Sequence, residues 1–263
     1  MDWSRAKSIL ILAFLSLNVF LAYQLLEAKG EQSQTHQVSQ DTRRELTELT
    51  SDKQIDIRDS LPENTPEVSY LQAEPLKMEN LHKRDPRWRK NSSGYYTLNF
   101  RTPLQQTGDL KKTLERYIPG LEHYKSVDEA VGDSQILFHM WNGRPIFDDR
   151  LSVFMKEKSI TRLELIPFQV RSDNATATRP GWSAQNALVT LIKSGQIREG
   201  AVITDVTLGY HGQSYDGDKQ LLSPVWRVRT EDATFYVNAI TGASEIETHS
   251  QIREQQTERG RLN

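Results

Sequence analysis

The one long apolar run of the chain covers residues 8–26, and no charged residue interrupts it. At about 1.5 Å per residue it measures roughly 28 Å, close to the ~30 Å hydrocarbon core of a bilayer. The run predicts a membrane-spanning helix. Arg5 and Lys7 stand just before it, so residues 1–7 are expected to stay in the cytoplasm and the bulk of the chain to be exported. Tyr23 suits the outer interface. A cleaved signal peptide is the alternative, but Phe20-Leu-Ala22 makes a poor small-x-small site at the end of the run. Within the span, Asn18 and Ser16 are polar and Ala13 and Ala22 are small. A buried amide in lipid is costly without a partner, so these four are the candidate contacts to a neighbouring helix.

Beyond the span the pattern changes. Residues 27–54 are expected to form a stalk, with a polar stretch at 30–40 and a short helix at 41–50 that places Leu46 and Leu49 on one face. Pro62, Pro66 and Pro75 punctuate the next stretch, and 68–73 reads as a strand. Residues 82–90 are basic and contain a tryptophan. Arg84, Arg87, Trp88 and Arg89 are taken as a candidate surface contact there, for an anionic polymer or lipid head groups.

Two blocks of related order follow. The first has a strand at 95–101 and a helix at 109–118, with Leu110, Leu114, Tyr117 and Ile118 on one face. Pro119-Gly120 stops that helix. Strands are expected at 135–141 and 144–147, joined by Asn142-Gly143, a strong hairpin signal. Further strands are expected at 151–156 and 161–170. The second block has a helix at 183–193, capped by Ser183 and closed by Gly195. Strands are expected at 201–210, 225–230, 234–239 and 243–248. The expected fold class is α+β, an N-terminal transmembrane helix plus an extracytoplasmic domain of two helix-on-antiparallel-sheet halves, 55–175 and 176–250. Residues 251–263 are expected to be a frayed tail.

Composition narrows the functions. The net charge of −2 over 263 residues gives no basic surface for nucleic acid. A mean hydropathy of −0.63, despite the apolar run, makes the remainder strongly polar. With Cys 0 there is no disulfide, thiolate metal site or cysteine nucleophile.

The search for chemistry is mostly negative. The six histidines form no metal-ligand spacing, and His139, inside a strand, reads as a packed or surface histidine. Asp148-Asp149 is an adjacent carboxylate pair whose side chains should point apart on a strand. Asp205, Asp216 and Asp218 are further acid–base or calcium candidates. Tyr215-Asp-Gly-Asp-Lys219 lacks the terminal Glu of a calcium loop and reads as a polar hairpin tip. Asn174-Ala-Thr176 matches a glycosylation acceptor only formally. No nucleophile elbow, phosphate loop or dinucleotide fingerprint is present. Neither catalytic residues, nor a metal, nor a cofactor is expected.

The opening Met1-Asp-Trp-Ser-Arg-Ala-Lys-Ser-Ile-Leu10, running into Asn18-Val-Phe-Leu21, resembles the YycI (WalI) family. So do Val206-Thr-Leu-Gly-Tyr210, Ser223-Pro-Val-Trp-Arg-Val228 and Phe235-Tyr-Val-Asn-Ala-Ile-Thr-Gly242. The last two are also similar to the end of PepSY-type modules. The resemblance implies a non-enzymatic protein of the plasma membrane of a Gram-positive bacterium. Its implied partners are a sensor histidine kinase of the WalK (YycG) type and a YycH-like protein. It implies inhibition of that kinase through the transmembrane helix, with cell-wall metabolism as the output. The alternative is an anchored PepSY-like module that inhibits or chaperones an extracellular protease or wall enzyme.

Overall fold

The computed structural model describes Ile11 and residues 13–20, 40–91, 94–105, 108–127, 134–170, 177–212 and 220–248. Ile11 and residues 13–20 are helical, and their large apolar side chains are between 51% and 67% exposed. Among the described residues no helix is long and apolar enough to cross a membrane. The rest of the predicted span lies outside the described residues. So do Arg5, Lys7, Ala22, residues 27–39, the Asn174 motif, the Tyr215 loop and the tail from 251.

The remainder is mixed α+β, mostly sheet. Four helices are described, α1 (Gln40–Asp52), α2 (Met78–His82), α3 (Leu110–Leu114) and α4 (Ala184–Lys193). In the first part of the chain the strands are β1 (Asp56–Ile57), β2 (Glu67–Val68), β3 (Leu71–Pro75), β4 (Arg89–Lys90), β5 (Tyr96–Gln105) and β6 (Tyr124–Lys125). Next come β7 (Ser134–Trp141), β8 (Arg144–Lys156), β9 (Ser159–Leu165), β10 (Phe168–Val170) and β11 (Arg179–Pro180). The last four are β12 (Val202–His211), β13 (Gln220–Thr230), β14 (Ala233–Asn238) and β15 (Ser244–Thr248).

The local reasons for these elements are plain. Asn142 and Gly143 take φ of 46° and 80°, so the β7–β8 turn has both central residues left-handed, as a two-residue hairpin requires. Ser183 caps α4 by accepting from the Asn186 N–H at 3.1 Å, and Gly195 leaves the helix at φ 73°. The helix expected at 109–118 is α-helical only to Leu114. Beyond it the Tyr117 N–H closes back on the Leu114 carbonyl in a tighter turn. Its four apolar residues are nonetheless all buried. The strands expected at 144–147 and 151–156 are one strand, β8, which runs through Asp148 and Asp149. Aspartate disfavours strands, and tertiary partners of both carboxylates override that preference here.

Two large cores lie under the sheet, and two smaller apolar clusters, around Ile146, Tyr210 and Leu222 and around Phe138, Phe147 and Val225, lie where the halves meet. One large core packs α4 and α1 on β12, β13 and β14, with Leu46, Leu188, Ile192, Trp226 and Phe235 at its centre. The other packs α2 and α3 on β5, β8 and β9, with Trp88, Leu98, Leu114, Leu151 and Leu163. The two halves share one ladder, in which β12 and β8 meet in parallel at Tyr210 and Ile146.

The halves are also interleaved. α1 belongs to the second core: Leu46 and Ile55 are buried there, Lys53 Nζ donates to the Ile192 carbonyl at 3.2 Å, and Glu45 pairs with Lys193. β1 pairs with β12 in parallel, β2 with β11, and β3 with both β13 and β10. Residues 40–52, expected within a stalk, are therefore part of the folded domain, and 55–175 does not separate cleanly from 176–250. The polar surface of α1 hid this, because only Leu46 and Leu49 mark its inner face.

The halves meet closely at Gly209. A Cβ built there would stand 2.5 Å from the Pro145 carbonyl and 2.5 Å from the Phe147 ring. Backbone cannot yield as a flexible side chain can. Gly209→Ala is expected to destabilise the folded domain by about 1–3 kcal/mol, measured by chemical denaturation against the parent chain.

Candidate functional site

The two adjacent aspartates on β8 point to opposite faces, as strand alternation requires. Asp149 is 0% exposed. One oxygen accepts from the Tyr124 hydroxyl at 2.6 Å; the other accepts from the Phe168 N–H at 3.0 Å and lies 2.8 Å from His139 Nδ1. One carboxyl thus joins β6, β7, β8 and β10. Burial drives the Asp149 pKa above the ordinary carboxylate value, although the bonds from His139, Tyr124 and the Phe168 N–H pull it back. Burial, then the nearby Asp149 carboxyl, raises the Tyr124 phenol well above its usual range.

Asp148 faces the second half. Its carboxylate accepts from the Gly212 N–H at 2.8 Å and lies 2.9 Å from His211 Nδ1. The His211 ring stacks on Tyr236, with centroids 4.3 Å apart and planes 11° from parallel. Its Nε2 stands 3.9 Å from Glu245. Burial alone would lower the His211 pKa. The hydrogen bond and charge of Asp148, with the charges of Glu245 and Glu247, outweigh it and raise the pKa above the usual imidazole value.

Beside this pair runs a second charged contact between the halves. Arg227 on β13 is buried against Phe147 and Phe138, 4.5 and 5.5 Å from their centroids. Its guanidinium donates to Asp205 at 3.0 Å. The junction therefore holds Asp148, His211, Arg227 and Asp205, all with partners. Sequence reasoning singled out Asp148, Asp149 and Asp205 and read His139 as a packed or surface histidine, but it missed His211 and Arg227. Alternation puts Arg227 on the face opposite Trp226 and Val228, and only Phe147 and Phe138, distant in sequence, make that face an interior for it. Asp216 and Asp218 lie outside the described residues. Among the described residues no group of three or more acidic or histidine side chains could hold a metal ion.

The basic stretch is a built corner. Trp88 is 0% exposed, in the first core, and its Nε1 donates to the Tyr117 carbonyl at 3.3 Å. It is therefore removed from the candidate surface contacts, because the apolar ring is worth more buried than exposed. Arg87 makes a forked pair with Asp85, its Nη2 at 2.7 Å, and this pair holds the Asp85 carboxyl below the usual carboxylate range. Arg89 donates to the Pro86 and Trp88 carbonyls. Arg84 remains exposed.

In the apolar helical stretch, Ala13, Ser16 and Asn18 are all exposed. At about 100° per residue, Ala13 and Ser16 fall roughly 60° apart, while Asn18 lies about 140° from Ala13 and 160° from Ser16. The small pair and the amide thus occupy opposite sides, and one partner helix cannot pack on both.

A mostly-sheet α+β domain behind an apolar helix is the class of protein that these features define. The chain belongs to the YycI protein family, whose model matches residues 32–240. Membership associates it with regulation of the WalK/WalR two-component system, and so with protein partners and the membrane. No curated protein matches the chain. Among solved structures, an uncharacterized protein from Eubacterium rectale ATCC 33656 is similar at 10% identity and a TM-score of 0.44, over 73% of this chain and 90% of that one. The C-terminal domain of Bacillus megaterium YpeB is similar at 11% identity and a TM-score of 0.35, over 81% of this chain and 98% of that one.

The two aspartates should separate in mutagenesis. Asp149→Ala strands the Tyr124 hydroxyl and the Phe168 N–H, and is expected to cost about 3 kcal/mol or more in denaturant unfolding. Asp148→Ala breaks a partly solvated pair and is expected to cost about 1 kcal/mol. Trp88→Ala should cost about 3–5 kcal/mol, while Arg84→Ala should stay within about 0.5 kcal/mol of the parent.

Proposed function

We propose that the chain is a membrane-anchored inhibitor of a WalK-type sensor histidine kinase, acting with a YycH-like partner in the same membrane. The carrying observation is the apolar helical stretch at Ile11 and residues 13–20, whose large side chains are exposed and which bears Ser16 and Asn18. Family membership supports the same reading. Arg5 and Lys7 before the run favour a cytoplasmic N-terminus and an outer domain beyond the membrane. Residues 8–26 are long enough for one crossing.

A helix in the bilayer changes a kinase only by binding one of its conformations better than the other. One amide contact between helices contributes about 1 kcal/mol, which shifts a two-state kinase about fivefold. Stronger inhibition needs packing as well, and the small face at Ala13 and Ser16 offers that. The side that meets the kinase is therefore a question of face. The amide side and the small side predict different mutants.

The test is a membrane pull-down of the kinase by the full chain and by a chain whose residues 8–26 are replaced by a Leu/Ala helix. Kinase autophosphorylation is read in the same samples. The replaced chain is expected to reach the membrane, lose the kinase and leave it more phosphorylated. Full inhibition by the replaced chain would move the contact to the outer domain. Asn18→Leu should weaken inhibition about fivefold if the amide side is used, and Ala13→Leu should do so if the small side is used.

A further inference from the structure

We propose that His211 is a proton-operated latch between the two halves of the outer domain, closed when its imidazole is charged and released when it is neutral. This concerns the outer domain itself and stands whether or not the kinase reading holds.

The geometry is that of a single cation held among anions at a seam. His211 ends β12, and Asp148 reaches it from β8 of the other half at 2.9 Å. The same carboxylate takes the Gly212 N–H at 2.8 Å, so one side chain of the first half grips both the imidazole and the backbone of the second. From β14, Tyr236 covers the ring face at 4.3 Å. From β15, Glu245 lies 3.9 Å from Nε2, and Glu247 accepts from the Tyr236 hydroxyl at 3.4 Å. Arg227 on β13 and Arg150 on β8 act on Tyr236, and Arg227 is committed to Asp205. The groups facing His211 are therefore Asp148, Glu245 and Glu247, with a neutral phenol between them. The imidazolium balances them.

Where β12 meets β8 the backbone shares one ladder position, Tyr210 with Ile146. The halves are joined elsewhere by β3 on β13 and by apolar contacts such as Phe147 with Val225. Asp148 adds the polar links at this point of the seam. When the imidazole loses its proton, three carboxylates are left grouped without their cation, and the Asp148 contact loses its charge. The Phe147 and Phe138 contacts with Arg227 do not titrate and keep the halves tethered. The expected change is local opening at the seam, with both cores intact.

The sign follows from the raised His211 pKa. A histidine whose folded pKa lies above its unfolded value stabilises the fold fully below the unfolded value. That contribution is lost as pH rises through the folded value. The latch therefore holds in mild acid and lets go in alkali. A domain outside the membrane meets the pH of its surroundings directly, so such a latch would couple external acidity to the relation between the halves.

The experiment is hydrogen exchange of the full chain in membranes, between about pH 6 and about pH 9, corrected for the intrinsic rate at each pH. Amides 146–148 and 209–212 are followed, with those of α4 as the core reference. In the parent chain, seam protection is expected to fall about tenfold across the range while α4 stays unchanged. His211→Gln is expected to show the low protection at both pH values, and Asp148→Asn to lose the pH dependence too. His211→Lys, which keeps a positive charge, is expected to hold protection to higher pH. Flat seam protection in the parent overturns the proposal, and so does a pH dependence that survives in both His211→Gln and Asp148→Asn. If His211→Gln unfolds, α4 loses protection with it, and Asp148→Asn and His211→Lys then decide.

Discussion

A carboxyl with no access to water must find its hydrogen bonds inside the protein, and the arrangement around Asp149 follows from that demand. Its donors come from a short strand, a hairpin arm and the start of another strand, at Tyr124, His139 and Phe168. Each must arrive in place before the carboxyl can be buried without large cost. That fixes where β6, β7 and β10 stand against β8. Because strand alternation turns the next residue over, it also presents Asp148 to the opposite face. The register of one strand thereby sets both the interior of the first half and its contact with the second. A one-residue slip would exchange the two carboxylates, and neither would meet its donors.

The sequence was most readable where local chemistry decides structure. Asn142-Gly143 made the hairpin, Ser183 and Gly195 bounded α4, and alternating strands from 201 onward lie close to where they were expected. It was least readable where a distant partner decides. Asp148 and Asp149 look like a break between strands until His211 and Tyr124, far along the chain, are placed beside them. The polar helix α1 reads as a stalk until α4 covers Leu46. Trp88, set among five basic residues and a histidine, looks like surface, yet its ring fills the first core. Arg227 was missed because a guanidinium between Trp226 and Val228 makes sense only with Phe147 and Phe138 above it.

The folded domain pairs many of its charges internally. Arg87 is paired with Asp85, Arg227 with Asp205 and His211 with Asp148. Such pairs add little to stability compared with well-packed apolar groups, but they set which surfaces can meet. Membership of the YycI family gives that domain a regulatory setting. The contrast with the helical stretch at Ile11 and residues 13–20 is sharp, because its large apolar side chains are more than half exposed.

The interleaving of the halves has a consequence for biogenesis. β1 pairs with β12 across 146 positions, Asp56 with Val202, and α1 rests on a helix that begins at Ala184. A chain that emerges from its N-terminus presents these early segments long before their partners exist. They cannot reach their native places until the last third of the polypeptide has been made. Such distant pairing is slow to form, and during that interval apolar strand edges stand open to self-association or proteolysis. Assembly of this domain is thus a waiting problem, in which the earliest segments are among the last to be secured.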